Sequence, residues 1–240
     1  MKQTANRIVA VATMTVILTL LSLSCGDQPE NVPPRTAERS SDTFTFFDVG
    51  RNSIFSKSLR QELKKVLGDD AIAQRNIINL EINYTGFLKD HFPDLDTINR
   101  QLNSPLGERI DHNTVKLMYR YARRKNSPFD YIEIVFSQYS YTPILINVRF
   151  KNDAAGTLAN LESKYGPPDI IDLNQPNARS LSWRKDEDLL MVSVAPDQIG
   201  QPRYRLSIYY TQNLKDLVKA EEIEKEKRRQ PKNESGKTAF

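Results

Sequence analysis

The sequence predicts an α+β fold built on an antiparallel sheet, and three observations in its second half carry that prediction. "YIEIVFS" (131–137) and "PILINVRF" (143–150) are rich in β-branched and aromatic residues and are joined by a short, polar, Tyr-rich turn. "RSLSWR", the turn "KDED" and "LLMVSV" repeat that arrangement between Arg179 and Val194, and "RYRLSIYY" (203–210) adds another strand. Between the two strand groups, Ala154, Leu158, Leu161 and Tyr165 recur at the spacing of one helix face, and "YGPPD" stops the helix with Gly166 and two prolines. Short connections join antiparallel neighbours, so residues 129–212 read as strand-strand-helix-strand-strand-strand, one helix packed across a twisted sheet.

A smaller helix/strand module is expected ahead of it, over 43–128. "TFTFFDV" has strand-like aromatics from Thr43. Phe55, Leu59, Leu63, Val66 and Leu67 are expected on one face of a helix that Gly68 ends. "NIINLEINY" (76–84) alternates as a strand does. Leu95, Ile98 and Leu102 mark a helix between Pro93 and Pro105 with Asp94 as its cap, and Asn113 is a suitable N-cap for a helix running to Lys125. The helix–Gly–strand step at Leu59, Leu63, Leu67, Gly68 matches Leu158, Leu161, Tyr165, Gly166. An internal duplication produces such a match, and so does any amphipathic helix with a Gly stop.

Residues 213–240 form a charged tail. Leu214, Leu217 and Val218 begin a helix whose apolar stripe soon disappears, pairs such as Glu221 with Lys225 support it locally, and disorder is expected from Gln230.

The opposite end is the most informative. Lys2 and Arg7 precede an apolar run from Ile8 to Leu23 with no acidic residue before Asp27, the charged and apolar regions of an export signal spanning residues 1–24. Sixteen helical residues reach only about 24 Å, short of the ~30 Å hydrocarbon core of a bilayer. Ser24 is a small residue at the cut, and Cys25, the single cysteine in the chain, becomes the new first residue. One cysteine makes no intrachain disulfide, and export places it where a bare thiol oxidises unless chemistry consumes it. Leu23, Ser24 and Cys25 resemble the lipobox of bacterial lipoproteins, with Ser22 where that family most often has Leu. The resemblance implies a thioether-linked diacylglycerol on Cys25 and further acylation of the new amino end. Each buried methylene contributes roughly 0.8 kcal/mol, so two or more chains hold a protein at a membrane. Gly26, where an inner-membrane retention signal has Asp, favours the outer membrane in a cell that has one. Residues 25–42, with three prolines and almost no large apolar side chain, read as a disordered tether between anchor and domain.

Charge gives no support to a nucleic-acid partner. Without the leader, 32 basic residues face 30 acidic ones, and the body from Cys25 to Leu214 balances at 24 against 24. The two histidines, His91 and His112, have no partner at a metal-ligand spacing, and "DLD" at 94–96 lacks the further oxygens of a calcium loop. No Gly-rich phosphate loop, GxSxG motif or spare cysteine is present, so no metal, cofactor or catalytic residue is assigned.

The sharpest feature of the body is "KLMYRYARRK". On a helix, Lys116, Arg120, Arg123 and Arg124 share a face opposite Val115, Met118, Tyr119 and Ala122, a stripe that fits either phosphates of an anionic lipid or glycan or a solvated surface. "SQYSYTP" and Trp183 offer aromatic surface suited equally to a sugar, a peptide or a sheet edge. The helix–"KYGPP"–strand–Trp order is similar to small envelope modules such as the outer-membrane assembly lipoprotein family. The expected function is that of a membrane-anchored cell-envelope lipoprotein that binds or scaffolds envelope proteins or an anionic glycan or lipid without catalysis. The alternative is a membrane-tethered hydrolase of envelope polymers, which requires a cleft holding a perturbed carboxylate or a histidine, His91 or His112.

Overall fold

The computed structural model describes residues 43–121, 127–151, 155–173 and 175–229, and in it eight strands form one antiparallel sheet. The elements run α1 (Lys57–Leu67), β1 (Ala71–Asn76), α2 (Phe87–His91), α3 (Pro93–Leu102), β2 (His112–Arg120), β3 (Phe129–Ser137), β4 (Pro143–Phe150), α4 (Ala155–Tyr165), β5 (Asp169–Asp172), β6 (Arg179–Lys185), β7 (Asp188–Pro196), β8 (Pro202–Tyr209) and α5 (Thr211–Arg229). The fold class is α+β, as the sequence predicts. Strand order is β1-β2-β3-β4-β8-β7-β6-β5, so two four-stranded meanders meet at β4 and β8. The sheet passes without a break from residues 43–128 into 129–212, because β2 pairs with β3 from Thr114↔Ser137 to Arg120↔Tyr131.

Each meander follows a helix that ends on a left-handed glycine, Gly68 (φ 85°) or Gly166 (φ 82°), whose amide bonds back to the carbonyl of Lys64 or Glu162. Laying Gly68 on Gly166 places Ala71 on Asp169, and the strand registers then carry Met118 onto Ser182, Glu133 onto Met191 and Asn147 onto Ser207. Asn147 and Ser207 are themselves directly opposite one another across the β4–β8 seam. The equivalence that starts at the outer strands therefore closes on the central pair, which is the condition for a two-fold axis between the halves. The side chains follow it: Leu117 matches Leu181, Tyr119 Trp183, Ile134 Val192 and Val148 Ile208, all buried in one core beneath α1 and α4. The helix–Gly–strand match in the sequence is thus part of a repeated αββββ unit. At Gly166 an added Cβ would meet no atom within 4 Å, so Gly166→Ala tests the backbone alone. We expect a loss of about 1 kcal/mol from the left-handed φ, measured by urea unfolding.

The second core lies on the other face, where α2, α3 and α5 cover Val135, Leu145, Leu189, Met191 and Tyr209. Here three sequence expectations need correction. The helix expected from Asn113 to Lys125 is the strand β2 as far as Arg120. Val115, Leu117, Tyr119 and Tyr121 alternate along it and are all buried, whereas a helical reading finds no place for Leu117 among the apolar side. The strand expected over 76–84 is not one: β1 lies earlier, in "AIAQRN", and only Asn76 is shared. Ile78, Leu80 and Ile82 do alternate inward, but the segment lies in the second core as an extended wall. Its backbone is satisfied by side chains, Asn99 Oδ1 accepting from the Leu80 amide at 2.9 Å and Tyr209 donating to the Leu80 carbonyl at 3.1 Å. Finally, "TFTFFDV" makes only a tight turn, Phe46 and Val49 exchanging two backbone bonds of 3.0 Å around left-handed Phe47 and Asp48.

Pro93 opens α3 directly after Phe92, so Asp94 sits in its first turn, favourably placed for the helix dipole, and does not cap it. The short strand β5, which no alternation announces, pairs with β6 at the sheet edge. Cys25, the leader, the tether and residues 230–240 lie outside the described residues.

Candidate functional site

Alternation along the strands gives the sheet one apolar face under α1 and α4 and a second face that is apolar only where the other helices cover it. Beyond that cover, the second face carries Lys116 and Arg120 from β2, Tyr131 and Glu133 from β3, Asn147 and Arg149 from β4, and Arg205 and Ser207 from β8. The extended segment 77–84 walls this groove on one side through Asn79, Glu81 and Ile82. The two-fold axis passes through its floor, and the symmetry breaks there. Arg149 and Arg205 face each other across the seam on the uncovered side, while their symmetry mates Tyr209 and Leu145 face each other beneath the helices.

Glu133 is the centre of the floor. Its carboxylate accepts from Asn147 Nδ2 at 2.8 Å and from the Tyr131 hydroxyl at 2.9 Å, with Lys116 Nζ at 3.3 Å. Asn147 Oδ1 accepts in turn from Ser207 at 2.7 Å. Burial first, and then the Glu133 charge, push the Tyr131 phenol well above its ordinary range, so it stays a neutral donor. Arg149 lies over the Tyr131 ring at 5.0 Å and 3.5 Å from Asp130. At the far end Ser193 donates to Asn83 Oδ1. Two buried atoms on the wall, Asn83 Nδ2 and Glu81 Oε2, have no hydrogen-bond partner among the described residues. The arrangement offers cationic forks, amides and hydroxyls to a polar ligand. The Tyr131 hydroxyl and the Glu133 carboxylate are in contact there, with the phenol held neutral. Among the described residues no three of His, Cys, Asp and Glu converge as a metal ion requires.

The structure brings together half of the basic stripe. Lys116 and Arg120 share a strand face at the groove, Lys116 with Glu133 as its counter-charge, while Arg123 and Arg124 lie outside the described residues. His112 is buried, its Nδ1 2.8 Å from Glu221 of α5 and its Nε2 2.8 Å from the Leu102 carbonyl of α3, so neither nitrogen is available to a substrate. His91 stands on the short helix α2 with the Tyr84 hydroxyl 3.3 Å from its Nε2, away from the groove lining. Trp183 is buried under α4 and donates to the Gly166 carbonyl at 2.8 Å, which removes it as a ligand surface. In the Tyr-rich turn, Tyr139 bonds Glu224 of α5 and Tyr141 is half exposed. Sequence reasoning missed Arg149 and Arg205. They are ordinary outward positions of two strands, and only the β4–β8 register sets them opposite each other.

No known family model, curated protein or solved structure matches this chain.

Proposed function

We propose that the protein is a lipoprotein of the bacterial cell envelope, anchored through acyl chains on Cys25, that acts by non-covalent binding or scaffolding, with the uncovered sheet face as its contact surface. One observation carries the binding reading. The two-fold pattern is kept on the face under α1 and α4 and abandoned on the other, where charged and hydrogen-bonding side chains in the uncovered part stand for apolar mates beneath α2, α3 and α5. Packing alone does not require Arg149 and Arg205 where Tyr209 and Leu145 stand across the axis.

The anchor rests on the lipobox-like Leu23, Ser24 and Cys25 behind an apolar leader, and Gly26 favours the outer membrane where there is one. Expressed from its own gene, the protein is expected to partition into detergent with an amino-terminal mass carrying at least two acyl chains. Cys25→Ser is expected to move it to the water-soluble fraction or leave its leader uncleaved. Recovery of the wild type with its initiator Met or a bare thiol overturns the anchor. Cross-linking from a photoreactive residue at position 120, on the same sheet face, with mass spectrometry of the adduct, tests the contact surface. A reproducible envelope adduct supports binding, and release of a chemically altered glycan or peptide instead favours the hydrolase.

A further inference from the structure

We propose that Arg149 and Arg205 together form an oxyanion site, taking a carboxylate or phosphate group of the groove's ligand; this rests on the binding reading above. The two residues are directly opposed on β4 and β8. Like charges directly opposed across a strand pair destabilise a sheet unless something lies between or beside them. Arg149 has Asp130 at 3.5 Å, but no carboxylate lies within ion-pair distance of Arg205 among the described residues. Glu133, the acid at the centre of the floor, is engaged by Tyr131, Asn147 and Lys116. The Arg149 guanidinium lies over the Tyr131 ring at 5.0 Å, a contact that favours this side-chain position beside Arg205.

A second observation points to the same ligand. Both arginines line two adjoining hollows of the groove, of about 240 and 460 Å³, the size of a sugar or a short polar chain. Each hollow has a buried, unpartnered atom on its wall. Asn83 Nδ2, a donor, shares the larger hollow with the two arginines, and Glu81 Oε2, an acceptor, shares the smaller. A group with an oxyanion beside a hydroxyl fits this lining, the oxyanion taking the arginines and the hydroxyl lying toward the Asn83 and Glu81 side chains.

The test uses the full-length protein in detergent, with inorganic phosphate and galacturonate as probes and sodium chloride at matched ionic strength as the reference. One or both probes are expected to raise the thermal midpoint by about 2–4 °C beyond chloride. A response to phosphate alone assigns a phosphate-bearing source, to galacturonate alone a carboxylate-bearing one. Arg205→Gln and Arg149→Gln are each expected to weaken the response at least tenfold in probe concentration. Arg205→Lys, which keeps the charge and loses the fork, is expected to fall between them and the wild type. In low salt without probe, Arg205→Gln is expected to melt no lower than the wild type, because it relieves repulsion. The inference is overturned if neither probe outperforms chloride, if Arg205→Gln responds as the wild type does, or if that variant melts several degrees lower without probe. Loss of the oxyanion response alongside a surviving position-120 adduct overturns this site and leaves the binding reading intact.

Discussion

Trp183→Ala is expected to lower the unfolding free energy by about 3–5 kcal/mol, the range for deleting a large aromatic from a packed core. Trp183 is 4% exposed and joins the core that also takes Leu158, Leu161 and Tyr165 of α4. Its indole N–H donates to the Gly166 carbonyl at the end of that helix, so the side chain fixes both the height of α4 over the sheet and the turn into β5. Alanine removes the packing and orphans the carbonyl. Trp183→Phe keeps most of the packing and loses only the bond, with an expected cost of about 1–2 kcal/mol. Chemical unfolding of the two variants checks the difference. Equal losses would mean that the indole bond carries the effect and the packing does not.

Glu221→Ala is expected to cost about 3 kcal/mol, because it breaks a buried pair and leaves its partners unsatisfied. Glu221 ties α5 to the sheet through His112 Nδ1 at 2.8 Å and the Asn113 amide at 2.9 Å, and His112 passes the link to the end of α3. Burial alone would push the Glu221 carboxyl up, but the His112 and Asn113 bonds outweigh it and hold the carboxyl below its ordinary value of 4.5. A carboxyl lower in the folded than in the unfolded chain contributes stability that is full above the unfolded value and lost as pH falls through the folded one. The wild type should therefore lose stability more steeply than Glu221→Gln below about pH 4.5, and unfolding midpoints measured from pH 6 to pH 3 check this. Parallel curves would show that the carboxylate is not the group responsible.

The second half of the fold was legible because its strands are runs of β-branched and aromatic residues and its turns are short. β3, β4, β7 and β8 bury residues of both faces in the two cores, and Gly166 with its prolines marks the helix end without ambiguity. Two of the misreadings in the first half share one reason: side-chain periodicity reports which side is buried, not what the backbone pairs with. Ile78, Leu80 and Ile82 alternate like a strand but take their backbone partners from Asn99 and Tyr209. "NTVKLMYRY" fits a helix in part because Lys and Arg tolerate either spacing, and Leu117 is the residue that decides for the strand. Of the groove, Lys116 and Arg120 were visible as a basic stripe. Arg149, Arg205 and the Glu133 network depend on strand register across the seam, a long-range property that no local pattern carries.

The sheet ends at eight strands, and both of its rims are guarded against growth. An outermost strand presents a row of unpaired amides and carbonyls to which another chain can add. At one rim, β5 is only four residues long, begins and ends on aspartate and follows two prolines, Pro167 and Pro168. At the other, the register of β1 shifts between Gln74 and Asn76, and Arg75 takes a left-handed turn (φ 55°), so the ribbon is no longer straight where a neighbour would align. For a chain proposed to be held by lipid at high two-dimensional density, these rims oppose polymerisation along the membrane plane while leaving the broad side of the sheet accessible.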